Sequence, residues 1–294
     1  FYGCKSLERV EGFENVNWID GRSVQEMRTV PEMLFYGCES LHYITLPSDL
    51  RAIGSGAFQR CYALTTLELP ETLKEIGASA FHSSGLESVT LPAAIESLGS
   101  AAFYGSKLKS IDLSHCTQLT QLSDRCFQEC NLTSVVIPEH IATIPEYCFY
   151  HIESLESVSL GNVTEVGERA FSRCSALRDI TFSERLVSIG ERAFSYCYAI
   201  EEIVLPDSVE TVYGYVFQNC DALKKITLGS GVEVFGVYSY LADGVSFNDA
   251  KLALYQCINL EEIAVSEGNT FYRAVEGVLY GKSVCGEEYS DGAV

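Results

Sequence analysis

The sequence predicts an α/β repeat solenoid with one strand and one short helical turn in each 22–24-residue unit. Three observations carry this reading. An aromatic anchor recurs at Phe35, Phe58, Phe81, Phe103, Phe127, Phe149, Phe171, Phe194 and Phe217, in steps of 22 to 24 residues. Around each anchor the same pattern returns, A-F-x-x-C-x-x-L-x-x-I-x-L-P. The chain of 294 residues is 47% hydrophobic, enough for a sizeable core, yet holds no run of about 18 apolar residues that would span a bilayer as a helix.

The elements follow in order. Phe1 is the first anchor and Leu254 fills the last slot, which makes eleven units. The first step is 34 residues and the last is 37, so insertions are expected near residues 13–26 and 237–250. The stretch L-x-x-I-x-L alternates apolar and polar residues, a strand signal. It turns Leu64, Leu67 and Leu69 inward, and Leu177, Ile180 and Phe182 likewise. The stretch G-x-x-A-F-x-x-C has apolar residues three and four apart, which predicts one helical or 3₁₀ turn. Pro47, Pro70, Pro92, Pro138 and Pro206 end the strand, because proline has no N–H to continue a ladder. Gly54, Gly77 and Gly190 occupy another corner, where a conformation disfavoured by other residues is expected. One such unit cannot bury its apolar face alone, and stacking solves this.

Strand parity names the outward residues. One column runs Arg9, Tyr43, Thr66, Ser88 and onward to Glu262; the next runs Glu11, Thr45, Glu68, Thr90 and onward to Ala264. Ten of these 22 positions are serine or threonine, as suits an exposed strand, and aromatic or arginine anchors are nearly absent.

Ten of the twelve cysteines fall in two repeat positions, three after the anchor or one before it, so they read as compact core residues. Cys116 and Cys285 fall outside that ladder. His115, Cys116, Cys126 and Cys130 are metal-ligand types without the Cys-x-x-Cys spacing of a zinc module, and no metal is expected. No nucleophile elbow, phosphate loop or calcium loop is present, so no catalytic residue and no cofactor is assigned. The net charge of −20 makes a nucleic-acid partner a poor expectation.

The repeat resembles the leucine-rich repeats of BspA-like surface proteins. The resemblance rests on the A-F-x-x-C-x-x-L-x-x-I-x-L-P units and covers residues 1–266, read as the array. Residues 267–294 are read as a C-terminal capping element and frayed tail, since Asn269 to Tyr280 resembles the element that often follows such arrays. The resemblance implies a right-handed leucine-rich-repeat solenoid with its strands on the concave face. It also implies a non-enzymatic module of a cell-surface or secreted protein. That module would adhere to a protein or glycan, host extracellular matrix among them, without inserting into a membrane and as a monomer. Residue 1 is Phe and no leader follows it, so any export signal or anchor is expected outside this sequence. The partner-binding candidates are Tyr43, Thr66 and Glu68 on the strand face, with Trp18, Tyr238, Tyr240 and Phe247 in the insertions. The alternative is a structural spacer that holds another domain away from the cell.

Overall fold

The structure, a computed structural model, describes residues 1–13, 28–237, 253–276 and 278–281. The chain forms two compact units, Phe1–Ile141 and Ala142–Val294. Each is a stack of coils whose anchors touch. In the first unit the ring centroids of Phe35, Phe58, Phe81, Phe103 and Phe127 succeed each other at 5.2–5.6 Å. In the second, Phe149, Phe171, Phe194 and Phe217 do so at 5.3–6.0 Å. All nine rings are fully buried. Offset stacking adds to the apolar area they remove from water.

Most described coils carry two short extended segments, where one was expected; residues 107–123 form no strand. The expected strand is present. In the first unit Arg9–Val10 pairs in parallel with Tyr43–Ile44, and Thr66 bridges to Ser88. In the second unit Lys225–Leu228 lies between Glu202–Val204 and Glu262–Val265. Repeat-equivalent residues face each other, Arg9 opposite Tyr43 and Glu202 opposite Lys225. The additional strand is the segment that runs into the corner glycine or proline, as Ala52–Ile53 runs into Gly54. It builds a parallel ladder of Thr29–Val30, Ala52–Ile53, Glu75–Ile76 and Ser97–Leu98 in the first unit. In the second unit it runs from Thr143–Ile144 through Glu165–Val166, Ser188–Ile189 and Thr211–Tyr213 to Val234–Val237. Most of these strands hold only two residues, too few to display an alternating pattern in sequence.

The expected helical turn is absent around the phenylalanine anchors from Phe35 to Phe217: none of these segments forms a helix. The segment is a run of overlapping reverse turns. Around Phe58 the bonds are Ala57 N to Gly54 O, Gln59 N to Gly56 O and Cys61 N to Phe58 O, at 3.1–3.2 Å. The residues two before and two after the anchor are left-handed. Gly56 and Arg60 both have φ of 61° in the first unit, and Arg169 and Arg173 have 51° and 64° in the second. A left-handed residue every fourth position stops a helix. It also turns alternate N–H groups toward the next coil: Gly56, Phe58 and Arg60 donate to the carbonyls of Ala78, Ala80 and His82 at 2.8–2.9 Å. Apolar spacing of three and four is common to a helical turn and to this run, which is why the sequence pattern does not separate them.

The corner glycines have a different reason from the one expected. Gly54, Gly77 and Gly190 are not left-handed; a Cβ there would collide with the preceding coil. At Gly77 it would stand 2.6 Å from the Ser55 nitrogen, and at Gly190 2.7 Å from the Gly167 carbonyl carbon. Glycine sets how closely coils approach.

In the second unit Tyr272–Val275 and Val278–Gly281 form an antiparallel hairpin. Buried Asn269 ties it down. Its Nδ2 donates to the carbonyls of Gly229 and Val232, and its Oδ1 accepts from the N–H groups of Phe271 and Tyr272, at 2.7–3.1 Å. Among the described residues, no helix is long and apolar enough to cross a membrane.

Candidate binding site

The outward columns lie where strand parity places them: none of their residues is buried. In the first unit three successive coils of these columns enclose an open cavity of about 930 Å³. The first coil supplies Arg9 and Glu11, the second Tyr43 and Thr45, the third Thr66 and Glu68. His42, Ser48 and Pro70 complete the wall. The site therefore follows from pairing register: strand neighbours place equivalent side chains side by side, within reach of one ligand.

Register makes its central contact. Arg9 and Tyr43 are strand partners, and the Arg9 guanidinium carbon sits 4.1 Å from the centre of the Tyr43 ring. Arg9 Nε also donates to Glu11 Oε1 at 2.6 Å. The guanidinium is held on two sides, by a ring and a carboxylate, with further N–H groups available. Glu68 on the third coil is exposed and pairs with no cation among the described residues. Hydroxyls of Thr45, Ser48 and Thr66 line the same cavity. The arrangement offers one aromatic face, donors at one end, a carboxylate at the other and hydroxyls between. Such a set is chemically suited to the polar groups of a ligand.

Tyr43, Thr66 and Glu68, expected from sequence as partner-binding residues, all line this cavity. Trp18, Tyr238, Tyr240 and Phe247 lie outside the described residues. Sequence reasoning placed Arg9 and Glu11 in the outward columns but did not single them out, and it missed His42 and Ser48. The signal was available: arginine and tyrosine are rare in columns otherwise rich in serine and threonine, and here they fall at equivalent positions of adjacent described coils.

The residues weighed for zinc have other roles. The imidazole Nε2 of His115 lies 2.6 Å from the Leu91 carbonyl oxygen, and Cys130 donates to the Phe103 carbonyl at 3.2 Å. Burial pushes the Cys130 thiol up to about 12 and raises the Cys126 thiol as well, which disfavours the thiolates a metal needs. Among the described residues no group of three or more histidine, cysteine or carboxylate side chains is placed to hold a metal ion. The eleven described cysteines are free, and Cys116, open from sequence, is a buried thiol; Cys285 lies outside the described residues.

Stacked coils with parallel strands and a phenylalanine spine define a leucine-rich-repeat solenoid. The chain belongs to the BspA-type leucine-rich repeat family: the profile described as BspA type leucine rich repeat region (6 copies) matches residues 12–122 and 120–243. No curated protein matches it. It is similar in fold to a leucine rich cell surface protein from Faecalibacterium prausnitzii A2-165, with 24% identity over 79% of this chain and 62% of that one, at a TM-score of 0.50. It is likewise similar to the pneumococcal vaccine antigen PcpA, with 23% identity over 85% of this chain and 61% of that one, at 0.54. A leucine-rich repeat protein from Eubacterium ventriosum ATCC 27560 shares 20% identity over 81% of this chain and 79% of that one, at 0.51. The match thus spans only about six-tenths of the first two proteins.

Proposed function

We propose that this chain is a non-enzymatic recognition module of a cell-surface or secreted protein, and that it adheres to a protein or glycan through the strand face of its first unit. The supporting observation is the Arg9–Tyr43 stack facing unpaired Glu68 across a cavity built by three coils. Aromatic and arginine side chains supply most binding energy at recognition surfaces, and here they meet in one place. The cell-surface relative supports the location by fold likeness. The module acts as a monomer, with the repeat array over residues 1–266 and the cap over 267–294.

The test is binding of the purified chain to matrix proteins and mucosal glycans at two salt concentrations, with Tyr43→Ala, Glu68→Gln and Trp18→Ala variants. Saturable binding that falls about tenfold or more in Tyr43→Ala is expected. Binding left intact by Tyr43→Ala and Glu68→Gln together would remove the cavity from the reading. Failure to bind anything on the panel would favour the spacer.

A further inference from the structure

The second unit carries arginine and tyrosine where its backbone is left-handed. Two residues before the anchors stand Tyr147, Arg169, Arg192 and Tyr215; two after stand His151, Arg173, Tyr196 and Asn219. Their φ values lie between 51° and 64°. Side chains in this region cost free energy that glycine avoids. The first unit fills most equivalent positions with small residues, among them Gly37, Gly56, Ser79, Ser83, Ala101 and Gly105. The second unit has no glycine, alanine or serine at these positions. Strain of this kind concentrates at functional sites.

The side chains are ordered among themselves. Guanidinium groups lie over rings at 5.3 Å for Arg169 on Tyr147, 5.1 Å for Arg173 on Tyr196 and 4.6 Å for Arg192 on Tyr215. Arg169 is paired with Glu168, and Arg192 with buried Glu191. Arg173 differs: it is exposed, and no carboxylate pairs with it among the described residues. Tyr198, also exposed, stands edge-on to Tyr196 with ring centroids 6.2 Å apart. A guanidinium without an anion is thus held over Tyr196, whose other neighbour is Tyr198. Ordering it before binding lowers the entropy lost on association.

We propose that the turn side of the second unit is a second interaction surface, centred on Arg173, Tyr196 and Tyr198, and that it takes an acidic peptide segment of a partner protein. A carboxylate of that segment accepts two N–H bonds from the Arg173 fork. The neighbouring arginines already have carboxylates, which leaves Arg173 as the anion-seeking group. The net charge of −20 opposes an anionic ligand at long range, but at about 0.15 M salt distant charges are screened while a contact pair is not. This surface shares no residue with the strand-face cavity.

The test uses the full chain and fluorescent synthetic peptides at physiological salt. One peptide is rich in Asp and Glu with a single Tyr; the other is its Asn/Gln counterpart. The acidic peptide is expected to bind saturably and the amide peptide not to. Arg173→Gly removes the guanidinium and relieves the left-handed strain. It should weaken binding about tenfold or more while Tm stays level or rises. Arg173→Lys keeps charge without the fork and should fall between. Tyr43→Ala should leave this binding unchanged. The proposal is overturned if neither peptide binds, if both bind alike, if Arg173→Gly binds as the parent does, or if Tyr43→Ala abolishes binding.

Discussion

The thiol of Cys174 donates a hydrogen bond to the main-chain carbonyl of Phe149, one coil earlier, at 3.2 Å. The same bond runs from Cys61 to Phe35 at 3.1 Å, and from Cys197 to Phe171 and Cys220 to Phe194 at 3.3 Å. The carbonyl belongs to the buried anchor itself; at Phe35 and Phe171 it also accepts a main-chain N–H, from Cys38 at 3.1 Å and Cys174 at 3.3 Å, so the thiol is a second donor. Cysteine at this slot therefore supplies a donor as well as a small volume.

Cys174→Ser keeps a donor and Cys174→Val does not. The valine variant should lose about 0.5–1.5 kcal/mol of unfolding free energy, the worth of one hydrogen bond. The serine variant should lose less, since its hydroxyl is also a donor. Denaturant titration of both variants checks the order. A valine variant as stable as the parent would show that volume alone selects the residue.

Burial pushes the thiols of Cys61 and Cys174 up to about 12, from an ordinary value of 9.0. The folded chain thus holds these protons after the unfolded chain has released them. Stability is full below pH 9 and declines between pH 9 and 12, by up to about 1.4 kcal/mol per pH unit for each such thiol. Unfolding curves at pH 8, 9 and 10.5 should show the decline. Alkylation at pH 8 should be slow in the folded chain and fast after denaturation.

Gly77→Ala and Arg60→Gly should move stability in opposite directions. The alanine Cβ would stand 2.6 Å from the Ser55 nitrogen, main chain that cannot swing away, at a cost of about 1–3 kcal/mol. Arg60 has φ of 61°, so glycine there relieves strain and should be neutral or stabilising. Thermal denaturation of the pair separates close packing from backbone handedness.

Asn269 uses both donors and accepts twice through its carbonyl oxygen. Asn269→Ala should cost about 2–4 kcal/mol at roughly 1 kcal/mol per lost bond. Asn269→Asp should rescue little, because a carboxylate would face the Gly229 and Val232 carbonyls. Hydrogen exchange at Phe271 and Tyr272 reports the loss locally.

The phenylalanine spine, the cysteine slot and the outward columns were legible because each repeats one residue type at a fixed offset. The strand-face cavity was legible in part, through Tyr43, Thr66 and Glu68. The backbone between Gly54 and Cys61 was not. Its apolar residues fall at helical spacing, and handedness leaves no mark when the left-handed residue is Arg60 or Arg173 rather than glycine. The two-residue strands escaped because Ala52–Ile53 has no period to read. The thiol bonds escaped because residue type does not tell a donor from a filler.

The turns that replace the helix also align their peptide groups. In the first unit the N–H groups of Ser79, Phe81 and Ser83 point to the carbonyls of Ser100, Ala102 and Tyr104, one coil on. In the second, those of Arg169, Phe171 and Arg173 point to Glu191, Ala193 and Ser195. Three peptide dipoles per coil thus add along the axis of each unit, as they do in an α-helix, whereas strand dipoles largely cancel. Each unit carries a built-in electric polarity on its turn side, positive toward later coils and negative toward earlier ones. An anion approaching from the later coils meets a favourable field that no ionised side chain supplies.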